Sequence, residues 1–304
     1  MTQASLSTTA DVARSAPPAA ERGFRLPTHW LGVAPFFIFA LMFLILPTAY
    51  LVIGAFQNDQ GQFTFENIAQ LTQPSILSAY WISIKISLAS GILGALVGLA
   101  IAIAIVRGGL PNWVRSATLT FSGVASNFAG VPLAFAFLAT LGRLGLVTVM
   151  LNTWFGINIY ALGFNILSFW GLTLTYLFFQ IPLMVVIIVP AIDGLKREWG
   201  EAAATLGATQ LQYWRMVVIP VLWPSFLGTV VLLFANAFGA IATAYALTGS
   251  SLNIVPILLY AQIRGDVLHN PHLGYALAFG MIVVTGLANI FYIWFRTRSE
   301  RWLK

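Results

Sequence analysis

PAIDGLKREWGEAAATLGATQLQYWRMVVIP, from Pro190 to Pro220, is a polar stretch set between two long apolar ones. It reads as a built element rather than slack chain. Leu195, Trp199, Ala202 and Leu206 recur at helical spacing, which predicts a short amphipathic helix. Gly207 follows where a helix C-terminus favours a left-handed residue. Thr209, with Gln212 three residues on, is a capping box that opens a second short helix. Tyr213 and Trp214 are expected to project from its first turns. Pro220 then begins the next apolar run, at a position where a missing N–H costs nothing. Helix, glycine turn and helix together make a knob stiff enough to pass force to a partner.

Outward from this loop the chain is apolar. Hydrophobic residues make up 59% of its 304 residues and charged residues 8%, against about 25% charged in a soluble domain. So little polar surface cannot cover a water-soluble globule, and lipid is the expected solvent for most of the chain. A helix crosses the hydrocarbon layer with roughly 20 apolar residues. Six stretches qualify, at about Trp30–Phe56, Tyr80–Val106, Ala117–Leu141, Phe164–Val189, Leu222–Thr248 and Leu273–Phe295. None contains Asp or Glu, and Lys85 is the one charge within them, with a stem long enough to snorkel. The expected fold is therefore an all-α membrane bundle of six spans, with a helical loop at about 190–220 between the fourth and fifth. Residues 1–28, rich in Ala, Ser, Thr and Pro, read as a disordered cytoplasmic tail, and residues 29–304 as one transmembrane domain. The first span follows the tail directly and is expected to remain uncleaved.

Orientation follows from basic residues in the connections. With the N-terminus inside, Arg14, Arg22, Arg25, Arg107, Arg115, Lys196, Arg197, Arg215, Arg296, Arg298, Arg301 and Lys304 all fall on the cytoplasmic side, and only Arg143 and Arg264 outside. Both termini are then cytoplasmic. The net charge of +6 reads as topology signal and as contact with anionic membrane lipids, not as a nucleic-acid surface. Outside, Gln57–Ala79 is polar, Gly142–Gly163 reads as a short helix lying at the outer interface or tucked against the bundle, and Gly249–His272 carries His269 and His272. Their i, i+3 spacing could hold a metal on a helix, but Pro271 between them breaks one, so no metal site is expected.

Much chemistry is excluded. No cysteine is present, which removes thiolate ligands and nucleophiles. There is no phosphate loop with Lys-Ser or Lys-Thr, no His-Glu-x-x-His, and no intramembrane carboxylate for a proton relay. No catalytic residues or cofactor are expected, and energy must come from another chain.

The polar loop then becomes specific. Glu201-Ala202-Ala203, then Gly207, then Val217-Val218-Ile219-Pro220 resembles the Glu-Ala-Ala signature of binding-protein-dependent ABC importer permeases of the type I fold, with Val217 for Ile and Ile219 for Leu. The number of spans and the place of the loop agree, and the resemblance covers roughly residues 30–300. It implies a permease subunit in a bacterial cytoplasmic (inner) membrane. The implied partners are ATP-binding-cassette ATPase subunits, a second permease subunit (identical or different) and an extracytoplasmic solute-binding protein. It implies that the loop is the coupling helix, with Glu201, Ala202, Ala203, Gly207, Tyr213, Trp214 and Pro220 at or near the ATPase contact. The competing class is a stand-alone secondary transporter or channel.

Solute passage needs polar groups within the spans. Tyr176 and Gln180 on the fourth and Asn236 and Tyr245 on the fifth flank the loop and are the expected pathway residues. Each could instead bond a neighbouring helix, since a buried amide or phenol in lipid demands a partner. The segment from Asn236 to Gly249 is similar to spermidine and putrescine permeases, and more loosely to iron(III) and phosphonate ones. That implies a small organic solute such as a polyamine, although a polyamine calls for carboxylates or an aromatic cage and these spans hold no carboxylate.

Overall fold

The structure is a computed structural model, and it describes residues 29–264 and 270–299. The tail at 1–28, His269, Asp266 and the last basic residues lie outside that range. The described residues fall into two compact units, one ending at Ala49 and one beginning at Tyr50.

In the first unit, α1 (His29–Ala40) runs into a π turn (Leu41–Ile45) and then into α2 (Leu46–Ala55), which continues into the second unit. The π turn has a cause in sequence. Pro47 has no N–H, and its ring crowds the carbonyl four residues back. The Leu46 N–H instead reaches the Leu41 carbonyl, a five-residue step that widens the helix just ahead of the proline.

The second unit is built on three long helices: α4 (Pro74–Arg107), α8 (Phe169–Asp193) and α11 (Ile219–Phe238). Glycines on α4 set how closely they approach. A Cβ on Gly94 would stand 2.8 Å from Gln180 Cβ, one on Gly98 2.6 Å from Met184 Cβ, and one on Gly91 3.4 Å from the Phe234 nitrogen. In lipid, where apolar burial drives little association, such close backbone contact is a main source of helix affinity. Ala95, Ala102, Met184, Val185, Ile188, Leu222 and Leu233 fill the seam.

Three short helices, α3 (Glu66–Gln70), α7 (Leu146–Phe155) and α13 (Val255–Arg264), occupy the loops expected outside, and α14 (Pro271–Ser299) is the last long helix. His272, at its start, has Nδ1 3.3 Å from the Gly54 carbonyl and Nε2 3.3 Å from the Asp59 carboxylate.

Among the described residues, six stretches are long and apolar enough to cross a membrane, as expected, but two of the expected crossings are broken. The third divides into α5 (Asn112–Ala125) and α6 (Val131–Leu141). Length and composition alone favour 131–155 for this crossing, yet Gly142–Gly145 interrupts that stretch. α5 runs antiparallel along α8, whereas α6 packs mainly against α12 (Ile241–Thr248). Arg115 at the start of α5 pairs with Asp193 at the end of α8, 2.6 Å apart. Phe128 and Phe137 both meet Phe178 at mid-helix, and Leu133 and Ala134 belong to the same buried cluster as Ile166 and Leu172. The fifth crossing divides into α11 and α12, with Gly239 and Ala240 between them.

Candidate functional site: the coupling loop and the cavity between broken spans

The loop from Pro190 folds as helix, glycine turn and helix. It comprises α9 (Arg197–Thr205), Gly207, then α10 (Gln210–Tyr213), followed by a second π turn (Trp214–Val218) leading into α11. Gly207 has φ +75°. The capping box is complete, with the Thr209 hydroxyl accepting from the Gln212 N–H at 3.3 Å and Gln212 Oε1 accepting from the Thr209 N–H at 2.7 Å.

Three expectations for the loop are corrected. Pro220 does not begin a span, because the chain is helical from Gln210 through the π turn to Phe238. The Ile219 N–H steps five residues back to the Trp214 carbonyl, the same accommodation of a following proline as at Pro47. Nor do Tyr213 and Trp214 project: Tyr213 is 7% exposed in the core, and Trp214 packs partly against the same cluster. Continuity of α10 with α11 turns that face inward. Tyr213 also braces α9, since a Cβ on Gly200 would lie 3.6 Å from its ring. Last, the stripe Leu195, Trp199, Ala202 and Leu206 is not one buried face. Leu195 is buried ahead of the helix, and its carbonyl accepts from Arg107 at 3.1 Å. Ala203 packs inward, while Trp199, Ala202 and Leu206 are exposed.

What the loop offers outward is an apolar crest. Leu206 is 87% exposed, Leu211 77% and Met216 73%. Glu201 beside them is exposed, and among the described residues its carboxylate forms no ion pair with Lys196 or Arg197. Leu211 and Met216 escaped the sequence reading. The available signal was the capping box: with α10 in register and Tyr213 inward, positions two before and three after it face out.

The four expected pathway residues divide into pairs. Tyr176 and Gln180 lie buried between helices of this chain. The Tyr176 hydroxyl donates to the Ala240 carbonyl at 2.9 Å, and Gln180 Nε2 to the Leu233 carbonyl at 2.9 Å. Both hold α8 to the broken fifth span, because that is where the phenol O–H and the amide N–H find acceptors. Asn236 and Tyr245 are exposed instead. Tyr245 packs against Tyr260, with centroids 5.0 Å apart and the rings tilted by 49°. Asn236 lines a cavity of about 280 Å³ that opens where both breaks meet, with Ser126, Gly130, Phe179, Gly239 and Thr243 among its walls.

Comparison with known proteins identifies the family and the fold. The profile described as "Binding-protein-dependent transport system inner membrane component" matches residues 145–304. The sulfate transport system permease protein CysT of Salmonella typhimurium is 26% identical over 244 residues, covering 79% of this chain and 83% of the relative. The molybdenum transport system permease protein ModB of Mycobacterium tuberculosis is 28% identical over 256 residues, covering 82% and 88%. Among solved structures, a bacterial ABC transporter involved in alginate import superposes with a TM-score of 0.68 at 19% identity, covering 91% and 96%. The inward-facing methionine transporter MetNI gives 0.52 at 15% identity, covering 76% and 100%. Because that profile matches more than half of its length, the chain belongs to the family of binding-protein-dependent transport system inner membrane components, the permease subunits of ABC importers.

Proposed function

We propose that this permease carries a small oxyanion of the sulfate or molybdate class, delivered by a binding protein, and that it does so with a second permease subunit and separate ATPase subunits. The observation that carries the choice of solute is the lining of the cavity at the two breaks. It exposes Ser126 and Asn236 and holds no acidic side chain. A carboxylate at that depth would repel an oxyanion, whereas hydroxyl and amide donors replace part of its lost hydration. The first turns of α6 and α12 begin at this cavity, and helix N-termini favour negative charge. A polyamine makes the opposite demand. The relatives named above carry sulfate and molybdenum by their names, so the spermidine-like reading of Asn236–Gly249 loses its support.

Asn236 and Tyr245 are the pathway residues in this reading, and Tyr176 and Gln180 hold the fifth span in shape beside them. The apolar crest of Leu206, Leu211 and Met216, with Glu201, is the face for the ATPase, and Gly207 sets the angle of α9. Membership of an ABC permease family replaces the alternative of a stand-alone secondary transporter or channel.

The test uses the complex purified with its ATPase and binding protein and reconstituted in vesicles. ATP-dependent uptake of radiolabelled sulfate or molybdate, unaffected by excess spermidine, is the expected result. Uptake of spermidine with no oxyanion uptake would restore the polyamine reading.

A further inference from the structure

The breaks in the third and fifth spans are fastened to each other. Gly130 has φ 78° and ψ −150° and directly precedes α6, with no side chain of its own segment capping the helix. That backbone conformation belongs almost exclusively to glycine. Its N–H donates instead to Thr243 Oγ1 on α12, at 2.7 Å and 113 residues away. Thr243 is 1% exposed. On the other side of the same break, the Tyr176 hydroxyl holds the Ala240 carbonyl from α8.

From this geometry we propose that Thr243 is a positioning residue, which ties the two breaks so that α6 and α12 move as one piece against α4, α8 and α11 when the pore opens and closes. The packing supports that division. The main contacts of α12 are with α6, and those of α11 are with α4 and α8. α11 is helical back through the π turn to the coupling loop, so a push on the loop enters α11 directly and reaches the break at Gly239. An unlatched break would let α6 lag behind α12. The latch removes that freedom with one hydrogen bond, at a half-buried N–H with no side-chain cap from its own segment. This inference rests on the permease assignment and not on the solute.

Thr243→Val keeps the shape and removes the acceptor, while Thr243→Ser keeps the oxygen. Both variants are prepared as the full reconstituted complex, and two quantities are read. The first is sulfate moved per ATP hydrolysed. The second, which needs no solute, is amide exchange across residues 126–134. Thr243→Val is expected to raise exchange about tenfold there and to lower transport per ATP by at least about fivefold, with Thr243→Ser close to the parent on both. Parental exchange in Thr243→Val overturns the proposal, and if uptake alone falls, Thr243 is a solute contact rather than a latch. Equal damage from Thr243→Ser also overturns it, because packing and not the oxygen would then matter. Should the parent complex carry no oxyanion, the exchange measurement still decides the latch.

Discussion

Gln180 reaches from α8 to α11 and donates its side-chain amide to the Leu233 carbonyl, 2.9 Å away, within a seam where Gln180 has no exposed surface. Its Oε1 is buried with no partner among the described residues. Gln180→Leu removes donor and orphaned acceptor together at similar volume, so it is expected to alter stability by no more than about 1 kcal/mol. Uptake should stay near the parental rate. Melting of the detergent-solubilised complex, with uptake alongside, checks both. Lost uptake in a stably assembled variant would return Gln180 to the pathway.

Gly207 lies in the left-handed region, with no atom within 4 Å of where a Cβ would stand. The cost of a side chain there is backbone strain alone, about 1–2 kcal/mol, too little to unfold the bundle. Gly207→Val is therefore expected to uncouple ATP hydrolysis from uptake or to weaken ATPase binding, and Gly207→Asn, which tolerates this conformation, to do so far less. Glu201→Ala should act in the same direction as Gly207→Val but more mildly. Solute-stimulated ATP hydrolysis and uptake are the readouts. A Gly207→Val complex that matches the parent in both would detach coupling from this loop.

Asn236 and Tyr245 face open space where Tyr176 and Gln180 do not. Large substitutions at Asn236 or Tyr245 should impair uptake while the complex still assembles. Size-exclusion chromatography and transport assays check this, and unimpaired uptake in both variants would remove them from the pathway.

Gly98 and Gly286 make opposite predictions from one residue type. A Cβ on Gly98 meets Met184 Cβ at 2.6 Å and the Ile181 carbonyl at 2.8 Å, whereas one on Gly286 meets nothing within 4 Å. Gly98→Ala should destabilise by about 1–3 kcal/mol through overpacking. Gly286→Ala should be neutral or stabilising in its helix. Thermal melts of the two variants side by side decide it, and equal behaviour would contradict the α4–α8 seam.

Tags probe orientation. Protease-accessible tags at Gly194 and after the C-terminus are expected on the cytoplasmic side, and one at Gly61 outside, from the distribution of basic residues in the connections. Protection assays on sealed spheroplasts read this directly, and an external C-terminus contradicts six crossings.

The solvent, the number of apolar stretches long enough to cross it and the shape of the loop were legible in the residues alone. Each rests on short-range chemistry: the length of apolar runs, Gly207 at a helix end, and Thr209 with Gln212 in one capping turn. The residues alone could not decide what depends on which helix lies against which. An unbroken apolar run from Leu222 to Thr248 gives no local sign of a break at Gly239–Ala240, because hydropathy records burial in lipid and not the path of the backbone. A polar group in a span either meets solute or meets another helix, and the sequence gives no sign of the partners that Tyr176 and Gln180 find at Ala240 and Leu233. Tyr213 seemed to project until the π turn before Pro220 joined α10 to α11 and turned its ring inward. The latch between Gly130 and Thr243 joins residues 113 positions apart, a pairing created only when α6 and α12 pack together.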